Sequence, residues 1–263
     1  MTVFRYEWRR SRKYIITWAV VLAACIFFMT PVYYDMLGNP EKLPAGFAQG
    51  GLLETLGVTL ELLQEPLGMY GFLTGFLTNA GGIFGMHLGL SLYTKECTEH
   101  TAEYLFTKPC GRRTIYQEKT LCMLCGVWTV GTLYLLSSLL TMLLFYPGFS
   151  AWELCLLALS VPLVALFFGA LGLLVGARWP RSHSPLMTAG LTVLSMYGIT
   201  AFSRTVDNRL IGFLSPLSFF GAADIHALGF YAWDYFIWYL LLVTVFFVLA
   251  YRVLMKRDVT FVG

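Results

Sequence analysis

Residues 120–177 read TLCMLCGVWTVGTLYLLSSLLTMLLFYPGFSAWELCLLALSVPLVALFFGALGLLVGA. Two long apolar runs, Thr120–Tyr146 and Glu153–Ala177, are joined by nothing longer than a turn. A hydrocarbon core about 30 Å thick takes about twenty apolar residues per helix, and each run is longer than that. Neither run alternates polar and apolar residues as a barrel strand would, so both predict membrane-spanning helices.

Working outward, four more runs qualify: Tyr14–Tyr34, Leu67–Tyr93, Ser184–Ser203 and Tyr235–Met255. The composition agrees, because 57% hydrophobic against 13% charged residues is far from that of a soluble domain. The fold expected is an all-α integral membrane protein, one transmembrane domain over residues 1–263 with six transmembrane helices. The first run is too long for the apolar region of a signal peptide and is expected to stay as a span.

Charge predicts the orientation. Fifteen of the eighteen Lys and Arg residues fall before span one, between spans two and three, between spans four and five, or after span six. Only Lys42, Arg204 and Arg209 fall on the other side. By the positive-inside rule both termini are expected in the cytoplasm. The net charge of +3 is thus an orientation signal, with no call for nucleic acid. Six cysteines lie in spans or on the cytoplasmic side, leaving no disulfide pair for the outer loops.

The flanking segments have their own patterns. Residues 2–13 place Phe4 and Trp8 one turn apart among arginines, which suits an interfacial helix in the headgroup plane or a plain basic anchor. In the first outer loop Leu52, Leu53, Leu56, Leu60 and Leu63 share a helical face too short to span. The connection 204–234 is aromatic and predicts short helices. Gly71, Gly75, Gly82, Gly85 and Gly89 form a ladder in span two, and Gly169, Gly172 and Gly176 repeat the theme in span four. Such ladders let helix backbones touch, either inside one subunit or between two.

Resident chemistry is sparse. His87 is the only ionisable group well inside a span, where pumps and ion-coupled carriers place acids, bases or cations. Cys122 and Cys125 have the spacing of half a zinc or redox site but lie in an apolar run, and Cys97, His100 and Cys110 lack a fourth ligand. No G-x-x-x-x-G-K-[ST] phosphate loop is present. No catalytic residue, metal site or cofactor is therefore assigned to this chain.

The polar stretch Glu96–Lys119 is the exception. Tyr104, Leu105 and Phe106 form an apolar knob beside Glu99 and Glu103, stopped by Pro109 and Gly111 and followed by Arg112 and Arg113. It reads either as a short helix seated in a partner's groove or as a solvated basic loop.

The motif E-x-T-A-E-Y-L-F-T-K-P-x-x-R, Glu99 to Arg112, resembles the first cytoplasmic loop of ABC-2-type permeases, the membrane subunits of type V ABC exporters. SPLSFFGAADI, Ser215 to Ile225, is similar to that family's segment before the last span, and Lys256-Arg257-Asp258-Val259 to its terminus. The resemblance implies an elbow helix at 2–13, a homodimer or pseudo-dimer and a separate ATP-binding subunit that supplies ATP and Mg. It also implies that Glu99, Thr101, Glu103, Tyr104, Leu105, Phe106, Pro109 and Arg112 dock on that ATPase. Arg178 and Arg181 would make a second, smaller contact.

An ATP-driven exporter is therefore expected, in the plasma membrane of a bacterial cell. The uncharged interior suggests a peptide, antibiotic or lipid-like amphiphile as cargo. Tyr197, Phe202, Phe219 and Phe220 line its route or anchor the membrane interface. A sensor or immunity subunit using the same ATPase contact, and an ATP-independent channel or carrier, are the other classes open.

Overall fold

The computed structural model describes residues 2–38, 65–98, 111–146, 148–179, 184–206 and 208–256. These residues are overwhelmingly helical, with no strand among them. The long helices are α1 (Thr2–Gly38), α2 (Pro66–Thr98), α3 (Arg112–Phe145), α4 (Ala151–Arg178) and α5 (Pro185–Thr205). Two short helices follow, α6 (Arg209–Gly212) and α7 (Ala222–Leu228), with a 3-10 turn at Pro216–Ser218 between them. The last long helix is α8 (Trp233–Lys256).

Successive long helices alternate in direction, so the bundle has two ends. At one end Arg112 Nη1 of α3 donates to the Met255 carbonyl of α8 at 3.1 Å. Most of the basic residues gather there. At the far end Trp152 Nε1 of α4 donates to the Gly229 carbonyl, 3.0 Å away.

The sequence explains several helix boundaries. Ser150 caps α4 by accepting from the Glu153 amide at 3.4 Å, and Ser184 does the same for Met187 at the start of α5. Pro185 sits in the first turn of α5, where its missing N–H costs nothing. Gly229 ends α7 with φ 64°, a left-handed turn that glycine adopts without a Cβ clash.

α1, α3, α4, α5 and α8 are each long and apolar enough to cross a membrane. α2, at 33 residues, is long enough, but interspersed glycines, threonines, Asn79 and His87 leave it without a stretch as apolar as those of the other five. Of the six spans expected, five are thus apolar in their own right. The glycine-rich one is held among them, buried along most of its length.

α4 is the hub and is the most buried of the five apolar helices. α2 lies so close to it that a Cβ at Gly85 would collide with the Ala165 carbonyl, and one at Gly89 with that of Gly169. From the other side, a Cβ at Gly172 would sit 2.5 Å from the Met86 carbonyl. Gly85 and Gly89 of one ladder and Gly172 and Gly176 of the other are therefore used within one chain, in direct backbone contact between α2 and α4. Ile16, Val20, Phe28 and Val32 of α1, with Leu191, Leu194 and Phe202 of α5, face outward as lipid-compatible surface.

One expectation is corrected. Residues 2–13 are not set off as an elbow, because no break separates them from the rest of α1. At about 1.5 Å per residue the helix extends about 55 Å, well beyond the hydrocarbon core. Val3, Glu7, Ser11, Ile15 and Ala19 form one buried stripe that runs from this segment into the span. The Phe4 amide donates to Glu118 Oε2 of α3 at 2.9 Å, fixing the first turn to the bundle.

Candidate functional site

Two sites stand out, one at each end of the bundle. At the basic end Lys119, two turns into α3, has a fully buried side chain. Its Nζ lies 3.1 Å from Glu7 Oε1 of α1 and donates to the Leu92 carbonyl of α2. The ammonium is also 4.9 Å from the centre of the Tyr93 ring. A buried charge is tolerated only when paired and hydrogen-bonded, and here one cation meets a carboxylate, a carbonyl and a ring face. The effect is to bolt α1, α2 and α3 together just inside the ends of the 99–110 connection.

At the far end a cavity of about 400 Å³ opens between α2, α5 and the short elements of residues 208–224. That volume suits a small-molecule site, typically about 300–1,000 Å³. Phe72, Phe76, Leu217 and Phe220 supply apolar wall, and Arg204, Arg209 and Asp224 supply charge. Arg209 is itself held by Asp234 at 2.8 Å and lies over the Tyr235 ring at 5.2 Å. Gly75 leaves room, since a Cβ there would have no neighbour within 4 Å.

Beside this cavity α7 is pinned to the bundle by His226. Its Nδ1 is 2.7 Å from Glu153 Oε1 of α4, and its Nε2 is 3.9 Å from Glu65 Oε2. The hydrogen bond to Glu153, with the two carboxylate charges, holds the imidazole pKa above its ordinary value.

The family comparison completes this geometry. Residues 1–259 match the family model described as ABC-2 family transporter protein. The chain belongs to that family. No curated protein matches it significantly. ABC-2 transporter membrane domains are permease components of ABC transporters and work with an ABC ATP-binding subunit, so this chain is a multi-pass membrane permease.

The expected docking residues Glu99, Thr101, Glu103, Tyr104, Leu105, Phe106 and Pro109, and Arg181 of the second contact, lie outside the described residues. So do the leucine-rich segment 52–63 and the terminus beyond Lys256. Arg112 turns inward to the Met255 carbonyl, whereas Arg178 is exposed beside the Trp179 ring, 5.5 Å from its centre.

Of the four aromatics expected on the substrate route, Tyr197 and Phe220 line the cavity. Phe219 is buried instead, stacked on Tyr235 with ring centres 5.3 Å apart, and Phe202 is exposed on α5. His87 packs against Tyr14, ring centres 4.7 Å apart. Cys122 and Cys125 are free thiols, and no metal-binding cluster occurs among the described residues.

Sequence reasoning treated Lys119 as one more positive-inside charge. Its place in a run of basic residues gives no hint of burial. The signal was Glu7, an acid among basic residues that needed a partner.

Proposed function

We propose that this ABC-2 permease is the membrane subunit of an ATP-driven exporter, moved by a separate ATP-binding subunit that seats the segment Glu99–Pro109. The basic end faces the cytoplasm of the cell membrane. ATP and Mg belong to the partner; this chain contributes no catalysis of its own. Two copies assemble with two ATPases, their uncovered apolar α1 and α5 faces being available for pairing.

The observation that supports this most is the Lys119 bolt. Residues 99–110 connect α2 to α3, and Lys119 joins those two helices and α1 where the connection begins and ends. A push on the connection therefore reaches three helices as one body. Backbone contact passes it from α2 to α4, and α2 also forms a wall of the far-end cavity. The amphiphile is moved because the inward and outward states bind it with different affinity, and ATP binding shifts the balance between them.

The test is accumulation of a panel of fluorescent amphiphiles in vesicles carrying the permease with its ATPase. ATP-dependent accumulation is expected. ATP hydrolysis that responds to ligand without any accumulation would instead make the chain a sensor, and flux without ATPase would make it a carrier.

A further inference from the structure

The far-end cavity has a wall chemistry that selects its ligand. A hydroxyl has one proton and two lone pairs. Thr78 gives its proton to the Thr74 carbonyl at 2.7 Å, and Ser160 gives its own to the Leu157 carbonyl at 2.7 Å. Ser203 donates to the Asn208 carbonyl at 2.9 Å, and Ser218 to Thr200 Oγ1 at 3.1 Å. Asn79 turns an N–H to the Gly75 carbonyl at 3.0 Å, while its buried Oδ1 accepts from no group among the described residues. All five side chains line the cavity. The hydroxyl protons of Thr78, Ser160, Ser203 and Ser218 are thus committed to the backbone or to Thr200, so these four present oxygen lone pairs, while Asn79 keeps one N–H uncommitted.

We propose that this cavity binds the uncharged, hydrogen-bond-donating head group of an amphiphile, a head bearing several O–H or N–H groups. An acceptor left without a donor is unfavourable, so a head lacking donors is rejected along the Thr78–Ser160 wall and at Ser203 and Ser218. A cationic head meets the guanidiniums of Arg204 and Arg209 on the same lining. Phe72 and Phe76, with ring centres 5.1 Å apart, give the alkyl part an apolar surface where α2 turns towards lipid. The assignment deepens the transport reading and rests on it for the site's purpose, since a head group bound here would be cargo on its way out.

Tritiated octyl glucoside, below its micellar concentration, serves as the probe on full-length permease in lipid nanodiscs. Saturable binding is expected. Octyl dimethylamine N-oxide and octyltrimethylammonium, with the same tail but no donor, should compete at least about tenfold less well than unlabelled octyl glucoside. The double variant Thr78→Val/Ser160→Ala should weaken glucoside binding about tenfold, while Thr78→Ser, which keeps the hydroxyl, should not. Equal competition by either donorless amphiphile would overturn the proposal on the unaltered protein, whatever the variants do. So would unsaturable binding, or a double variant that binds as the parent does. None of these measurements uses ATP or the partner. Their failure leaves the transport reading in place, and selective binding without ATP-driven accumulation would remove that reading alone.

Discussion

Lys119 and Glu7 are 112 positions apart in sequence, yet their charged groups meet at 3.1 Å with both side chains almost completely shielded. The pair closes the basic end of the bundle around the ends of the connection that an ATPase is proposed to grip. It stands at the start of the proposed mechanical path, and the cavity stands at its end.

Breaking this pair should be expensive. Removing one partner of a buried ion pair costs about 3–5 kcal/mol, because the other charge is left unmatched. Lys119→Met and Glu7→Leu are each expected to lower the thermal midpoint of the purified protein markedly, and the double variant to recover most of the loss. Thermal unfolding of all four proteins closes the cycle. Additive losses would mean that the two groups do not act together.

The contact between α2 and α4 makes a second prediction. Gly89→Ala drives a methyl group into the Gly169 backbone and should destabilise by about 1–3 kcal/mol, as overpacking does. Gly75→Ala, on the same helix but open to the cavity, should be close to neutral. Comparing their unfolding midpoints separates backbone contact from a general intolerance of α2 to substitution.

His226 predicts a dependence on pH. Its folded-state pKa is raised, first by the hydrogen bond to Glu153 and further by the charges of Glu153 and Glu65. Protonated His226 therefore contributes stability that is fully present below its unfolded value of about 6.5 and is lost as pH rises through the raised one. The stability difference between the parent and His226→Gln should be larger at acidic pH and shrink in alkaline buffer. His226 is nearly half exposed, so solvent screens the pair and the effect should be small. A difference that grows with pH would reverse the assignment.

The fold was legible where burial in lipid dictates residue type. Thr120–Tyr146 and Glu153–Ala177 could hardly be anything but spans, and the glycines of α2 and α4 announced a close approach. Which helices would touch was not legible, because a glycine face serves a neighbour in the same chain as well as one in another. The cavity was hidden for a related reason. Its acceptors come from Thr78, Ser160, Ser203 and Ser218, scattered over four elements, and a lone Thr or Ser in an apolar helix reads as a residue bonded to its own backbone. Thr78 and Ser160 are so bonded, and that leaves their lone pairs to the cavity. An elbow at 2–13 is what Phe4 and Trp8 among arginines suggest, but the segment continues α1 because Lys119 and Glu118 of α3 hold its Glu7 face against the bundle.

The central claim is that force enters through the Glu99–Pro109 connection. The most direct test is the ATP hydrolysis rate of the ATP-binding subunit assembled in nanodiscs with either the parent permease or a Glu103→Ala/Tyr104→Ala variant of unchanged thermal midpoint. The account predicts that the parent alters the hydrolysis rate and that the variant leaves it at the level of the ATPase alone. An identical effect from parent and variant would contradict it.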